Sequence, residues 1–276
     1  MNKMILIMII FIIVIILICN CIKKENFTSK ISNIKIPQII WQTHESKKLP
    51  KSTKDAINKL KKKNPEFKYI FHDKNDRRKF ILNNFNKNVL NAYDKIYPGA
   101  GKADIWRFAV LYKYGGIYSD VDTIIKDDSE KLINLIDKDD EFIQSIGWYI
   151  WPTSPYPIGT LVAAPKNKII KKTLDSIVDS VNNNKPLKKI GKYSGWAKLE
   201  DYTGTPHLWK VLSEELGTID LKFGKYKGGI NLTNKIQKQF KENPHYGKDL
   251  NEMKLTHWMN QPVFVDEVKS KKYRKF

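Results

Sequence analysis

Asp120 and Asp122 close a run of β-branched and aromatic residues, Ile117-Tyr118-Ser119-Asp120-Val121-Asp122-Thr123-Ile124-Ile125, and are the first candidates for chemistry. On a strand, the two-residue period puts both carboxylates on the same side. Hard divalent cations such as Mg²⁺ and Mn²⁺ prefer oxygen ligands and use one or two carboxylates, with substrate phosphates completing the shell. A nucleotide diphosphate brings such phosphates. Upstream, Asp104 and Arg107 are three residues apart, which on a helix places them one turn apart on one face. Each device alone has a plainer account: a solvated acidic loop running on to Asp127 and Asp128, and an intrahelical ion pair worth a few tenths of a kcal/mol. Their fixed order, with Gly115-Gly116 and an apolar strand between them, is what points to one site.

The elements that must position these groups follow from periodicity. Ala103 to Lys113 has helix-forming content and stops at Gly115-Gly116, where glycine can take the left-handed conformation that closes a helix; Ile117 to Ile125 then reads as a strand. Before them, Ile36 to Thr43 reads as a buried strand entered through Pro37. Lys51 to Lys63 has a helical apolar stripe of Ala56, Ile57 and Leu60, and Phe67 to Asp73 alternates as a second strand. Helical pieces follow at Arg77 to Asn84 and Val89 to Ile96. Strand, helix, strand opens an α/β sheet, and no repeat or Gly/Ser linker divides the chain. Residues 36–265 are expected to form a single domain, followed by a basic tail over 266–276.

The remaining features bound the setting. At 276 residues, 41% hydrophobic and 12% aromatic, the chain is neither a small stapled scaffold nor a disordered polymer. Its formal charge is +20, from 49 basic and 29 acidic residues, yet arginine occurs only at 77, 78, 107 and 274. A lysine excess without arginine forks fits anionic partners in general and argues against sequence-specific nucleic-acid reading. Residues Met4 to Cys19 are uninterrupted apolar residues, and tolerating Asn20 and Cys21 carries the run to Ile22, long enough for a membrane-spanning helix. A cleaved signal peptide is the rival, but no small-x-small cleavage site follows. Residues 1–24 are therefore expected to be an N-terminal transmembrane anchor and 25–35 a short linker, giving a single-pass protein of a Golgi- or ER-like, viral or bacterial membrane. Lysines flank both ends, so orientation stays open. Cys19 and Cys21 are the only cysteines, which leaves the rest of the chain without a disulfide or a thiolate metal site.

The string from Pro98 to Asp122 resembles the signature of the DXD-containing sugar transferases of glycosyltransferase family 32. Ile36-Pro37-Gln38-Ile39-Ile40-Trp41-Gln42-Thr43 with Leu49-Pro50, and Asn64-Pro65-Glu66-Phe67 leading to Tyr69 and His72-Asp73, are similar to that family's opening segments. The resemblance covers roughly residues 36–260. It implies a GT-A fold, a Rossmann-like α/β sandwich, with Mn²⁺ or Mg²⁺ held by Asp120 and Asp122 against the diphosphate of a nucleotide sugar. Asp104 and Arg107 match positions that hold donor sugar hydroxyls, and Trp41 matches the place of a base-binding aromatic, although a core tryptophan is an equally physical account. Thr256-His257-Trp258 resembles a C-terminal histidine that contacts metal or diphosphate, which makes His257 a candidate ligand beside the alternative of a structural histidine. Asp201-Tyr202-Thr203-Gly204-Thr205-Pro206 is similar to a Thr-Gly-Pro segment, with Thr205 intervening, and reads locally as a turn opening onto a helix. The aromatic stretch Gly147 to Pro152 is a candidate acceptor loop.

The expected activity is a metal-dependent, retaining transfer of a hexose from a nucleotide diphosphate sugar to a glycan or saccharide acceptor, with no dedicated general base. Two alternatives stand beside it. Asp120 could be the nucleophile of an aspartyl-phosphate phosphohydrolase, a site that belongs at the first strand of its domain. The chain could also be a membrane-tethered glycan-binding protein without catalysis.

Overall fold

A computed structural model describes residues 8, 11–16, 34–145, 158–187, 198–245 and 261–266. The first strand, β1 (Ile39–Thr43), is followed by helix α1 (Lys51–Lys63), strand β2 (Lys68–His72), and helices α2 (Lys74–Asn84), α3 (Lys87–Lys95) and α4 (Gly99–Tyr114). Then come β3 (Gly116–Ser119), β4 (Thr123–Ile125), β5 (Phe142–Gln144) and β6 (Thr160–Ala163), helices α5 (Lys168–Asn182) and α6 (Thr205–Leu216), and the short strands β7 (Gly224–Tyr226), β8 (Ile230–Leu232) and β9 (Phe240–Glu242). These elements make a mixed α/β fold.

The central sheet has the order β2-β1-β3-β6-β5-β8-β7. β1 pairs in parallel with β2 and β3, and β5 with β8, whereas β6 runs antiparallel to its neighbours β3 and β5. The carboxyl ends of β1, β3, β5 and β8 consequently share one edge. One sheet face, with Trp41, Tyr118, Leu161 and Phe142, packs on Trp106, Phe108, Ile170, Leu174 and Leu208 of the helices. The other face, with Ile40, Ile117, Val162 and Ile143, packs on Leu60 of α1 and on Ile125, Leu132 and Phe240.

α4 explains its own depth in the core. Every residue from Ala103 to Leu111 is buried, so the helix has no solvent face over that span. Burying Trp106 alone is worth roughly 2–3 kcal/mol. The helix begins at Gly99, four residues earlier than its sequence pattern indicates, because Pro98 stands at its N-cap. It stops at Gly115, whose φ of +67° and whose closeness to Ala163 O and Pro165 N, 2.8 and 2.7 Å from where a Cβ would stand, admit only glycine.

The single strand expected from 117 to 125 is two strands. β3 ends at Ser119 in the central sheet, and β4 departs to pair antiparallel with β9 in a separate two-stranded ribbon. Between them Asp120, Val121 and Asp122 form a turn in which Thr123 donates to Asp120 O from both its hydroxyl (2.7 Å) and its backbone N–H (3.4 Å). The two-residue period therefore does not govern the two carboxylates; turn geometry does.

The anchor expected over residues 1–24 falls largely outside the described residues. Within it, residues 11–16 are helical with exposed apolar side chains. Among the described residues no helix is long and apolar enough to cross a membrane.

Candidate active site

Arg107 is the organising group. Its guanidinium lies 3.1 Å from Asp104 Oδ1 on the same helix and 3.4 Å from Asp120 Oδ1 on the turn after β3. It also donates to Ile158 O at 2.6 Å, and its Cζ stands 4.4 Å from the centre of the Tyr118 ring. Arg107 and Asp104 are both buried. The one-turn pair predicted from sequence is thus a desolvated bridge between α4 and the β3 turn. Removing one partner from such a bridge costs about 3–5 kcal/mol, far more than an exposed pair contributes. Burial works against the Arg107 charge, but Asp120, Tyr118 and Asp104 together outweigh it and raise its pKa.

Asp104 is held from a second side. The Thr203 hydroxyl donates to its Oδ2 at 2.7 Å, and Thr203 is fully buried in the turn before α6. Gly204, with φ +76°, turns the chain there, and a Cβ on it would stand 3.4 Å from that same oxygen. Burial raises the Asp104 pKa; the nearby Arg107 and the Thr203 hydrogen bond counter it.

Asp120 is fixed mainly through its backbone. Its N–H donates to Gly159 O at 2.7 Å, and its carbonyl accepts from Gln42 Nε2 at 3.1 Å. Gln42 is itself held by the Tyr69 hydroxyl, which donates to its Oε1 at 2.9 Å. The Tyr118 hydroxyl donates to Asp120 Oδ1. Oδ2 lies against Gly159, where an added Cβ would stand 2.7 Å away, so glycine leaves that oxygen its space. Asp122 is half-buried, its carbonyl accepts from Asn243 N at 2.7 Å, and its pKa is pushed up to about 7, by burial first and then by Asp120 and Glu242.

Two carboxylates, Asp104 and Asp120, thus pair with one guanidinium, and Asp122 follows two residues later on the same turn, its pKa raised first by burial and then by the charge of Asp120. Oxygen-only donors with surplus negative charge fit a hard divalent cation. Among the described residues no group of three His, Cys, Asp or Glu side chains is gathered to hold a metal. Two carboxylates are what a cation that shares its shell with substrate phosphates requires.

The other expected site residues fare differently. Trp41 is a core residue and not an open stacking surface: it is 3% exposed, its indole N–H donates to Gly115 O at 2.8 Å, and its ring stacks on Tyr114 and meets Trp106 edge-on. An odd position on β1 turns it toward the helices, while Gln42, its neighbour, takes the opposite face and reaches the Asp120 turn. His257 and the aromatic stretch 147–152 lie outside the described residues. Sequence reasoning missed Gln42, Tyr118, Gly159 and Asn243. Tyr118 was within reach, standing one strand period before Asp120; Gln42 reaches the turn with its side-chain amide from a neighbouring strand, and Gly159 and Asn243 act through backbone atoms, so none of the three leaves a local signal.

Residues 50–142 match the family model described as a glycosyltransferase sugar-binding region containing a DXD motif. The chain is 40% identical over 96 residues to an uncharacterized glycosyltransferase of Acanthamoeba polyphaga mimivirus, which is 35% of this chain and 37% of that protein. It is 33% identical over 87 residues to an inositol phosphoceramide mannosyltransferase of Schizosaccharomyces pombe, covering 32% and 24%. Over 167 residues it is 23% identical to a putative glycosyltransferase of Saccharomyces cerevisiae, covering 56% and 42%. The matches thus span less than half the length of each of these relatives. Among solved structures, the PaToxG glycosyltransferase aligns over 72% of this chain and 78% of its own at 19% identity, with a TM-score of 0.47. Asp104, Arg107, Asp120 and Asp122 all fall within the span that matches the glycosyltransferase sugar-binding region containing a DXD motif.

Proposed function

We propose that the chain is a GT-A-type glycosyltransferase that moves a hexose, with retention, from a nucleotide diphosphate sugar to a saccharide or glycan acceptor, using Mn²⁺ or Mg²⁺. The observation that carries this reading is the buried Arg107 bridging Asp104 and the Asp120 turn, with Asp122 two residues further along that turn. Asp120 and Asp122 would hold the cation, and His257 is a further candidate ligand. When bound, the cation supplies Lewis acidity that offsets charge on the departing diphosphate.

The chain's own residues define the rest. Asp104, oriented by Thr203 and Arg107, accepts hydrogen bonds from donor sugar hydroxyls. Arg107 presents positive charge where the leaving oxygen develops negative charge, and its fixed geometry needs no reorganisation during reaction. Tyr118 and Gln42 keep the Asp120 turn in register. No side chain is assigned as general base, because the departing phosphate oxygen can take the acceptor's proton. The phosphohydrolase alternative is poorly supported: Asp120 Oδ1 already accepts from Tyr118 and pairs with Arg107, and β3 is the third strand in chain order, not the first.

In this reading residues 36–265 form the transferase domain and 1–24 tether it to a membrane. The test is donor hydrolysis by the full chain across a panel of nucleotide diphosphate sugars, with and without Mn²⁺, alongside Asp120→Ala and Asp122→Ala. Metal-dependent hydrolysis of one donor, lost in both variants, is the expected result. Identical behaviour of all three proteins on every donor overturns the reading.

A further inference from the structure

A groove of about 830 Å³ lies between α5, α6 and the segment Lys185-Pro186-Leu187, outside the site described above. The groove runs along α6 from His207, two residues beyond Thr205, to Ser213 and Glu214, eight and nine residues beyond it. Gly204 lies beside Asp104 at the start of the helix, so the far end of the groove stands roughly 12–14 Å along the helix from there, at 1.5 Å per residue. The volume falls in the range of small-molecule sites, roughly 300–1,000 Å³.

The lining has a buried group in want of a partner. Ser213 is 8% exposed, and its hydroxyl makes no hydrogen bond among the described residues. Such a group costs free energy unless something occupies the space beside it. Around it, acceptors and donors are mixed: the carboxylates of Asp179 and Glu214 share the groove with the ammonium groups of Lys185 and Lys210, and Lys210 Nζ is 3.7 Å from Glu214. An anion would meet the two carboxylates and a cation the two ammonium groups. A neutral ligand with many hydroxyls satisfies both sets. The apolar edge formed by Pro186, Leu187 and Ile219, the last 58% exposed, suits the C–H face of a pyranose.

From this we infer that the groove binds a neutral saccharide, apart from the reacting centre. The groove's chemistry stands alone; that the saccharide is a remote portion of the acceptor rests on the transferase reading. The groove is also joined to the Asp104 turn. Asp201 O accepts from Leu187 N at 2.8 Å and from His207 Nε2 at 3.3 Å, two residues before Thr203, while the Ser176 hydroxyl donates to His207 Nδ1 at 2.9 Å.

The test uses the full chain in a sugar-free detergent, titrated with mannobiose, maltose and lactose and followed by saturation-transfer NMR without nucleotide. At least one disaccharide is expected to bind saturably, with affinity reduced roughly tenfold or more, the loss of one good contact, in Ile219→Glu and in the double variant Lys210→Ala, Glu214→Ala. Ile219 is exposed, so its replacement leaves the fold intact, which a thermal melt verifies. Binding is expected to persist in Asp122→Ala. Absence of binding by all three disaccharides at tens of millimolar overturns the inference, as does binding that survives Ile219→Glu but disappears in Asp122→Ala. The latter result places the sugar at the reacting centre and leaves the transferase reading standing. Mn²⁺-dependent donor hydrolysis, measured in parallel, is expected to be unchanged in Ile219→Glu. If wild type hydrolyses no donor yet binds the disaccharide, the transferase reading fails and the groove stands.

Discussion

Arg107 does work that lysine cannot. One planar fork reaches Asp104, Asp120 and the Ile158 carbonyl while lying over Tyr118. A lysine keeps the charge but offers one ammonium point in place of a fork. Arg107→Lys is expected to lower donor turnover by about 10²-fold, the scale of losing one preorganised charge stabiliser, and to lower the melting temperature by several degrees. Donor hydrolysis and differential scanning fluorimetry check both. Gly159 makes a cleaner contrast. A Cβ there would stand 2.7 Å from Asp120 Oδ2, yet Gly159 is not among the positive-φ residues, so alanine meets no backbone penalty. Gly159→Ala is expected to weaken Mn²⁺ binding roughly tenfold with little change in melting temperature, read by the electron paramagnetic resonance signal of free Mn²⁺. A fall in stability without a fall in affinity would mean that the glycine serves packing alone.

At the scale of elements, the site depends on how α4 ends and how α6 begins. Gly115 turns α4 into β3 with φ +67°, and both atoms crowding its would-be Cβ include backbone, which does not yield as a side-chain tip would. Gly115→Ala is expected to cost at least about 2 kcal/mol, measured by urea unfolding. On α6, His207 is fully buried and its pKa is lowered to about 4, chiefly by burial, from an ordinary 6.5. The folded state therefore resists charging this ring. Stability from keeping it neutral is fully present above pH 6.5 and is lost as pH falls toward 4. That slope amounts to roughly 3 kcal/mol. His207→Gln is expected to lose this part of the acid sensitivity, seen as a flatter dependence of unfolding free energy on pH between 6.5 and 4. Much at this scale was readable beforehand. α1 and β2 stand where apolar periodicity placed them, and the glycine pair marked the end of α4. The break between β3 and β4 was not readable, because Thr123-Ile124-Ile125 has strand character and its partner, β9, is more than a hundred residues away.

At the scale of the whole molecule, the sheet topology gathers the carboxyl ends of β1, β3, β5 and β8 on one edge, and the Asp120 turn stands there. Open α/β sheets bind ligands outside such strand ends. The apolar N-terminal run supplies a separate prediction: the full chain should sediment with membranes and resist carbonate extraction, whereas a chain with lysines at Ile9, Ile12 and Ile15 should be released. Release of the unaltered chain by carbonate would exclude the anchor.

Asp104 and Arg107 were legible as a pair because one helical turn sets their spacing, whereas Asp120 and Asp122 were paired by a strand period that the turn after β3 replaces. Trp41 shows the opposite case. An aromatic residue at a strand position can face either side of a sheet, and only the packing of α4 decided that this indole fills the core while Gln42 reaches the acidic turn. Thr203, Gly159 and Asn243 came to the site through contacts across 99, 39 and 121 residues of chain, measured from Asp104, Asp120 and Asp122 respectively. Chain-distant contacts of that kind arise from burial of many apolar groups at once, so no stretch of sequence carries them by itself.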